Sequence, residues 1–203
     1  MGREHSRHTI VLASASPRRK ELMTSLQLQF EILPSDADET VPQEWTPEQV
    51  VTELSLRKAQ AVREQALSQW QDALIIGSDT IVVLDGVIFG KPRDEAEAER
   101  MLQSLQGRSH NVYTGIVCMD AADGRIVSEY SRTVVHMKPL TAERIQSYVR
   151  SGEPADKAGA YAIQGLGSTL VDRIEGCYFT VVGLPVPLLS DMLEQFGISV
   201  LES

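Results

Sequence analysis

Apolar residues change their spacing along the chain, and the changes divide it into strands and helices. Thr9-Ile10-Val11-Leu12-Ala13 is an unbroken run with β-branched residues, the pattern of a buried strand. Ser16-Pro17 then opens a helix of about ten residues that includes Glu21, Leu22 and Leu26; proline loses nothing at a first helical position, where the N–H has no partner anyway. Phe30 to Leu33 predicts a second strand, and an acidic, proline-punctuated loop follows from Ser35 to Thr46. Thr46-Pro47-Glu48-Gln49 repeats the start signal, with the glutamine placed for a capping box. The helix it opens is predicted to run to about Leu67, with Val50, Leu54, Ala61 and Leu67 facing inward.

Ala73 to Leu84 is strongly apolar and β-branched, a strand with an expected interruption at Gly77-Ser78-Asp79-Thr80. Asp85-Gly86 is a hairpin turn that brings Val87 to Phe89 back onto it. Asp94 to Leu105 reads as a helix, acid-rich in its first turn and closed by Gly107. Val112 to Met119 and Arg125 to Met137 predict two long strands joined at Asp123-Gly124. Thr141 to Val149 is a helix stopped by Gly152, and Val186 to Phe196 is a final one. Gly159 to Gly176 follows neither period and receives no assignment. Strands and helices mix without strict alternation, which predicts an α/β fold with a mixed β-sheet flanked by helices. The expected organisation is a single domain over residues 9–203, behind a flexible extension over residues 1–8.

Composition narrows the function. The 203 residues are 42% hydrophobic, enough to bury a sizeable core. A net charge of -9 disfavours binding long nucleic acid through the bulk surface. A small anionic substrate stays open, because a few lysines and arginines reverse the potential inside a cleft. Cys118 and Cys177 sit in apolar runs and read as buried free thiols of a reducing compartment. Four histidines without a CxxC argue against zinc. Residues Met1 to His8 carry no apolar signal core, and no run approaches the roughly 20 apolar residues of a membrane helix. The expected location is the cytoplasm, with no membrane partner.

Six segments could carry chemistry. In the turn Ser14-Ala15-Ser16-Pro17-Arg18-Arg19-Lys20, the first helical N–H groups lack intrahelical partners and attract anions. Ser14 and Ser16 add hydroxyls, and the guanidinium forks of Arg18 and Arg19 suit phosphate oxygens. A capped helix with a solvated basic face is the competing reading, although cations at a helix N-terminus oppose its dipole. Asp79, between Ile76 and Ile81, should be partly buried, where an unpaired charge is costly. It is either a metal ligand or general base for water, or an aspartate satisfied by nearby N–H groups. Lys58 lies beside Arg57 on the long helix, and Lys91 follows the hairpin at Phe89-Gly90-Lys91-Pro92; singly, each is an ordinary surface lysine. The loop Asp36-Ala37-Asp38-Glu39 offers oxygen ligands for a metal. Gly159-Ala160-Tyr161-Ala162-Ile163-Gln164-Gly165 joins small residues to an amide that can both donate to and accept from a base edge; alone, it reads as a tight turn beside a core tyrosine. GxxxxGK[ST], GxSxG and HExxH are absent, and no GxGxxG follows the first strand.

Taken in order, these motifs resemble the Maf family of nucleotide pyrophosphatases, whose fold is similar to that of the inosine triphosphate pyrophosphatases, two lobes around a cleft. The resemblance is carried by Leu12-Ala13-Ser14-Ala15-Ser16-Pro17-Arg18-Arg19, Arg57-Lys58-Ala59, Gly77-Ser78-Asp79-Thr80 and Gly90-Lys91-Pro92. It continues through Tyr113-Thr114-Gly115 and Asp156-Lys157-Ala158-Gly159-Ala160-Tyr161-Ala162-Ile163-Gln164-Gly165, and so covers nearly the whole chain. It implies hydrolysis of the α–β phosphoanhydride of a nucleoside triphosphate with a divalent cation, Mg²⁺ or Mn²⁺. By the same resemblance Asp79 is catalytic, as proton acceptor or through the metal, and Glu39 helps place the cation. Ser14, Arg19, Lys58 and Lys91 hold the triphosphate, while Arg18, Thr80 and Gln164 set substrate choice. The wording from Ala160 to Gly165 is similar to that of the branch using dTTP and UTP; the 7-methyl-GTP branch has a lysine- and glutamate-containing variant there. Members are also linked to septum inhibition, and several form dimers, so a homodimer stands as an expectation. Two alternatives remain open at this point: a nucleotide-sensing regulator of division without turnover, and the same reaction on 7-methyl-GTP.

Overall fold

The apolar runs pair into one mixed sheet. The computed structural model describes residues 8–201; residues 1–7 of the expected extension, with 202–203, lie outside the described residues. Its strands are β1 (Thr9–Leu12), β2 (Phe30–Ile32), β3 (Ala73–Leu84), β4 (Val87–Phe89), β5 (Ser109–Asp120), β6 (Ile126–Met137) and β7 (Val171–Glu175). The helices are α1 (Pro17–Ser25), α2 (Pro47–Ala61), α3 (Arg63–Gln69), α4 (Glu95–Leu105), α5 (Ala142–Val149), α6 (Tyr178–Val182) and α7 (Val186–Glu194). The sheet order is β2-β1-β3-β5-β6-β7, with β4 pairing on β3. β1 runs parallel to β2 and β3, whereas β3–β4 and β6–β7 are antiparallel. This is the α/β architecture that the sequence predicts. No helix among the described residues is long and apolar enough to cross a membrane.

The chain forms two compact units, each with its own core. The first gathers the described residues up to Asp79, Thr114–Ser131 and those from Gly183 onward. Its core sets Val11, Ile75 and Val117 of the strands beside Ala59 of α2, Ala66 of α3 and Val62 between them. The second comprises Thr80–Tyr113 and Arg132–Val182, with Val82, Val112 and Val135 packed against Leu102, Leu105 and Ile145. Cys118 is buried, and burial pushes its thiol up to about 12; Cys177 is only half-buried.

Three elements depart from the sequence reading. The long helix ends at Ala61, and the chain turns at Val62 (φ -102°, ψ -1°) before resuming as α3. The break resets the inward face to Val62 and Ala66, so Ala61 is exposed and Leu67 half-buried. The Gly77-Ser78-Asp79-Thr80 segment does not interrupt β3, which runs unbroken from Ala73 to Leu84. The stretch from Gly159 to Gly176, without a period, folds as short 3-10 turns at Ala158–Ala160 and Gly165–Thr169 followed by β7, and a further 3-10 turn at Glu153–Asp156 precedes it. Three residues per turn matches neither of the periods that mark helices and strands.

Gly77 stays in the strand because α2 rests on it. A Cβ there would stand 2.1 Å from the Ser55 carbonyl oxygen, and one at Gly115 of β5 would stand 2.2 Å from that of Val51. The helix backbone therefore lies directly on the two strands. Its start is the predicted capping box: Gln49 N–H donates to Thr46 Oγ1 at 3.3 Å, and Thr46 N–H donates to Gln49 Oε1 at 2.9 Å.

Gly115→Ala is expected to lower unfolding stability by about 1–3 kcal/mol, through an overpacked contact. Gly90→Ala, where an added Cβ meets nothing within 4 Å, should change it by less than about 0.5 kcal/mol. Urea denaturation of the two variants compares them directly.

Candidate active site

The turn after β1 is shaped by its own serines. Ala13 N–H donates to the Ile76 carbonyl at 2.9 Å, which keeps the chain alongside β3 for one residue past the strand. Ser14 follows, buried, and its Oγ accepts from Ser16 N–H at 3.2 Å. Ser16 occupies the N-cap of α1 with Pro17 after it, but its side chain makes no capping hydrogen bond. The turn thus starts a helix without covering its first N–H groups with a Ser16 hydroxyl.

Arg19, in the first turn of α1, folds back over this loop. Its Nε donates to the Gly183 carbonyl at 2.7 Å and its Nη1 to Ser14 Oγ at 3.3 Å. Burial pulls the guanidinium below its ordinary value; Asp79 opposes that, Arg18 adds to it, and Glu39 opposes it. The group remains a cation at neutral pH, because arginine starts so far above it. Gly183, at φ 117°, also presents its carbonyl to Ser78 Oγ at 3.2 Å. Ser78 is fully buried and reaches the Gly115 carbonyl at 2.9 Å as well.

Asp79 is 7% exposed and stands at the centre of a compact charge cluster. Lys58 Nζ, from the last turn of α2, lies 2.5 Å from Asp79 Oδ1 and 2.8 Å from Glu39 Oε1. One ammonium therefore bridges a buried carboxylate and a half-exposed one. With Arg19, the cluster holds two negative and two positive side chains.

The acidic loop that delivers Glu39 is held by Arg57. Arg57 Nη1 donates to the carbonyls of Asp38 and Thr40, at 3.3 and 2.7 Å, on either side of Glu39. Its Nε pairs with Glu53 at 2.9 Å, and the guanidinium sits 5.8 Å from the centre of the Trp45 ring. Asp38 closes the turn by accepting from Thr40 N–H at 2.9 Å, a bond that lowers its pKa.

Ser14, Arg19, Lys58, Asp79 and Glu39 thus meet in the first unit through direct contacts or mutual charge. Arg18 is half-buried beside them and close enough to depress Arg19. Thr80, Lys91 and Gln164 belong to the second unit; Lys91 is exposed, and Thr80 and Gln164 are half-buried. There, Gly159 N–H donates to the Gly90 carbonyl at 3.0 Å, which ties the Gly90-Lys91 loop to the Gly159–Gly165 segment. Gly159 has φ 69°, and a Cβ on it would press on Val82 at 2.9 Å. Tyr161 is buried, with its hydroxyl 2.6 Å from His110 Nε2 and the rings edge to face. The reading of a tight turn beside a core tyrosine therefore holds for that residue. Sequence reasoning gives no roles to Arg57, Ser78 and Gly183. Arg57 and Ser78 lie inside quoted motifs, whereas Gly183 sits in an apolar run that carries no signal.

A family model described as Maf-like protein matches residues 9–196. The chain belongs to the Maf family. It is 50% identical over 191 residues to a protein of Desulforamulus reducens named dTTP/UTP pyrophosphatase, covering 94% of this chain and 98% of that one. A protein of the same name from Pelotomaculum thermopropionicum is 48% identical over 192 residues, covering 95% and 98%. One from Syntrophotalea carbinolica, again of that name, is 49% identical over 191 residues, covering 93% and 84%.

Two predictions concern the buried polar groups of this Maf chain. In a double-mutant cycle, Lys58→Met and Asp79→Asn should couple by about 1–3 kcal/mol, since each single change leaves a mostly buried charge with fewer partners. Additive urea stabilities would contradict the bridge. Burial, with a smaller contribution from His136, pushes His110 down from 6.5 to about 4. A depressed histidine binds its proton less readily folded than unfolded, so stability falls as pH drops from 6.5 towards 4. The span is about 3 kcal/mol. His110→Gln, which keeps a partner for Tyr161 but does not titrate, should lack that component in unfolding curves taken across the window.

Proposed function

We propose that this chain hydrolyses dTTP and UTP to the nucleoside monophosphate and pyrophosphate. The observation that carries the reading is the buried Asp79 carboxylate held by Lys58 beside Arg19 and the Ser14 turn, in a chain whose relatives are named for that activity. Ser14, Arg19 and Lys58 hold phosphate oxygens, and the resemblance assigns Lys91 to the same work. Arg18, Thr80 and Gln164 choose among bases. The wording from Ala160 to Gly165 favours dTTP and UTP over 7-methyl-GTP.

A divalent cation fits the side chains present. Asp79 and Glu39 are hard oxygen donors brought onto a common ammonium. Among the described residues no group of three His, Cys, Asp or Glu forms a metal cage. Two carboxylates, with substrate phosphates and water, are the usual holders of Mg²⁺. Asp79 and Glu39 offset two of the three nearby cations, Lys58, Arg19 and Arg18, so a triphosphate calls for added positive charge. Asp79 and Glu39 would hold that cation, Mg²⁺ or Mn²⁺, which neutralises charge building on the leaving pyrophosphate. Asp79 orients the attacking water and accepts its proton. The water oxygen bonds to the α-phosphorus, and the bridging oxygen departs with the β-phosphate. Arg19, fixed to Ser14 and to the Gly183 carbonyl, donates to phosphate with Ser14 from a position already set.

Asp79→Asn should lower pyrophosphate release from dTTP by about 10²–10⁴-fold, the usual worth of a general base. Lys58 retains Glu39 as a counter-ion in that variant, so circular dichroism should still report a folded protein. Undiminished release from folded Asp79→Asn would remove Asp79 from catalysis. Tight dTTP binding by the unaltered chain without any release would replace the enzyme with a nucleotide sensor.

A further inference from the structure

We propose that Glu153 is a positioning residue for substrate choice, fixing the Ala162–Gly167 turn from which Gln164 projects. The inference rests on the reading above that Gln164 selects the base. Glu153 opens a 3-10 turn just after Gly152, in the second unit. Its carboxylate accepts hydrogen bonds at 2.9 Å from the N–H groups of Leu166 and Gly167 and from the Tyr148 hydroxyl. The Tyr148 oxygen in turn accepts from Ala162 N–H at 3.2 Å. One carboxylate and one phenol therefore tether the chain on both sides of Gln164.

The local sequence is built for this closure. Gly165 has φ 59°, and a Cβ there would stand 2.6 Å from Glu153 Oε2. At Gly167 a Cβ would stand 2.2 Å from the Ala162 carbonyl and 2.6 Å from the Tyr148 hydroxyl. Both glycines let the backbone close onto the acid and the phenol. Gln164 itself is extended (φ -106°, ψ 174°) and half-buried between the tethers. Burial works to raise the Glu153 pKa, but the hydrogen bonds from Gly167, Leu166 and Tyr148, with the charge of Lys157, hold it below its ordinary value. The acceptor is thus a carboxylate at neutral pH. Only an acceptor-only group suits three converging donors: a glutamine turns an NH₂ towards at least one of them.

The experiment measures kcat/KM for dTTP, UTP and 7-methyl-GTP with the unaltered chain, Glu153→Gln, Tyr148→Phe and Gln164→Ala. Inorganic tripolyphosphate, which has no base, is titrated as a competitive inhibitor of each. In Glu153→Gln the preference for dTTP over 7-methyl-GTP should shrink by about 10-fold or more, the scale of one lost recognition contact. Tripolyphosphate inhibition should stay within about 2-fold, since the phosphate-holding residues of the first unit are untouched. Tyr148→Phe, which severs the hydroxyl links and keeps the ring, should move the same ratio in the same direction by a smaller factor, and it carries the test if Glu153→Gln does not fold. Equal losses on all three nucleotides would make Glu153 a general brace and overturn the proposal. An altered ranking in Gln164→Ala with an unaltered one in both tether variants would overturn it while sparing the role of Gln164. An unaltered ranking in Gln164→Ala with an altered one in Glu153→Gln would dismiss Gln164 as the reader and keep Glu153 as the residue that positions the turn.

Discussion

Helix α2 can lie on β3 and β5 only because Gly77 and Gly115 have no side chains. The virtual Cβ distances of 2.1 and 2.2 Å to its carbonyl oxygens leave no room for even a methyl group. Side chains two apart on a strand share a face, so Asp79 points the same way as Gly77, towards the helix. Lys58 precedes Ala59, whose N–H lies 3.1 Å from the virtual Cβ of Gly77. Close seating therefore brings the lysine over the aspartate, and the 2.5 Å contact follows from the geometry of the two glycines.

The same seat sorts the charges. A carboxylate as buried as Asp79 needs partners, and it has Lys58 in contact and Arg19 as a nearby charge. Lys58 extends the pairing to Glu39, a residue far more exposed. Arg57 and Lys58, adjacent on α2, divide the holding of one loop: the guanidinium takes the backbone on either side of Glu39, and the ammonium takes its carboxylate. Arginine's several N–H donors let Nη1 serve two carbonyls while Nε pairs with Glu53, and lysine's compact charge suits a bridge between two anions. An exchange of the two would satisfy neither.

Local signals make much of this legible in the amino-acid sequence. Ser16-Pro17, the Thr46–Gln49 box and the Asp85-Gly86 turn each depend on a few adjacent residues, and each element appears where they place it. Asp79 stands out because a lone charge in an apolar strand needs a partner. Gly77 is ambiguous, because glycine in a strand marks either a break or a close approach, and only the neighbouring element decides which. Here the neighbour is α2, and the strand continues past it. The end of α2 at Val62 depends on which residues meet the core beyond it. Gly183, whose carbonyl joins Arg19 to Ser78, is reached by a link of 164 residues from Arg19, invisible to any local pattern. The 3-10 segment has no period to read.

The two units satisfy their carboxylates with different donors, side-chain cations in the first and mainly backbone N–H groups in the second. In the first, Lys58 bridges the carboxylates of Asp79 and Glu39, and Arg19 feels the charge of both. In the second, the Glu153 carboxylate gathers backbone N–H donors that a turn of glycines cannot pair within itself. Its bonds run to the main chain at Leu166 and Gly167, and through Tyr148 to Ala162; none of them uses the side chain of residue 164. The shape of the turn is thus set independently of the residue it displays. A substitution of the Gln164 side chain leaves those tethers in place, whereas a change at Glu153 removes the acceptor shared by the Leu166 and Gly167 N–H groups and the Tyr148 hydroxyl.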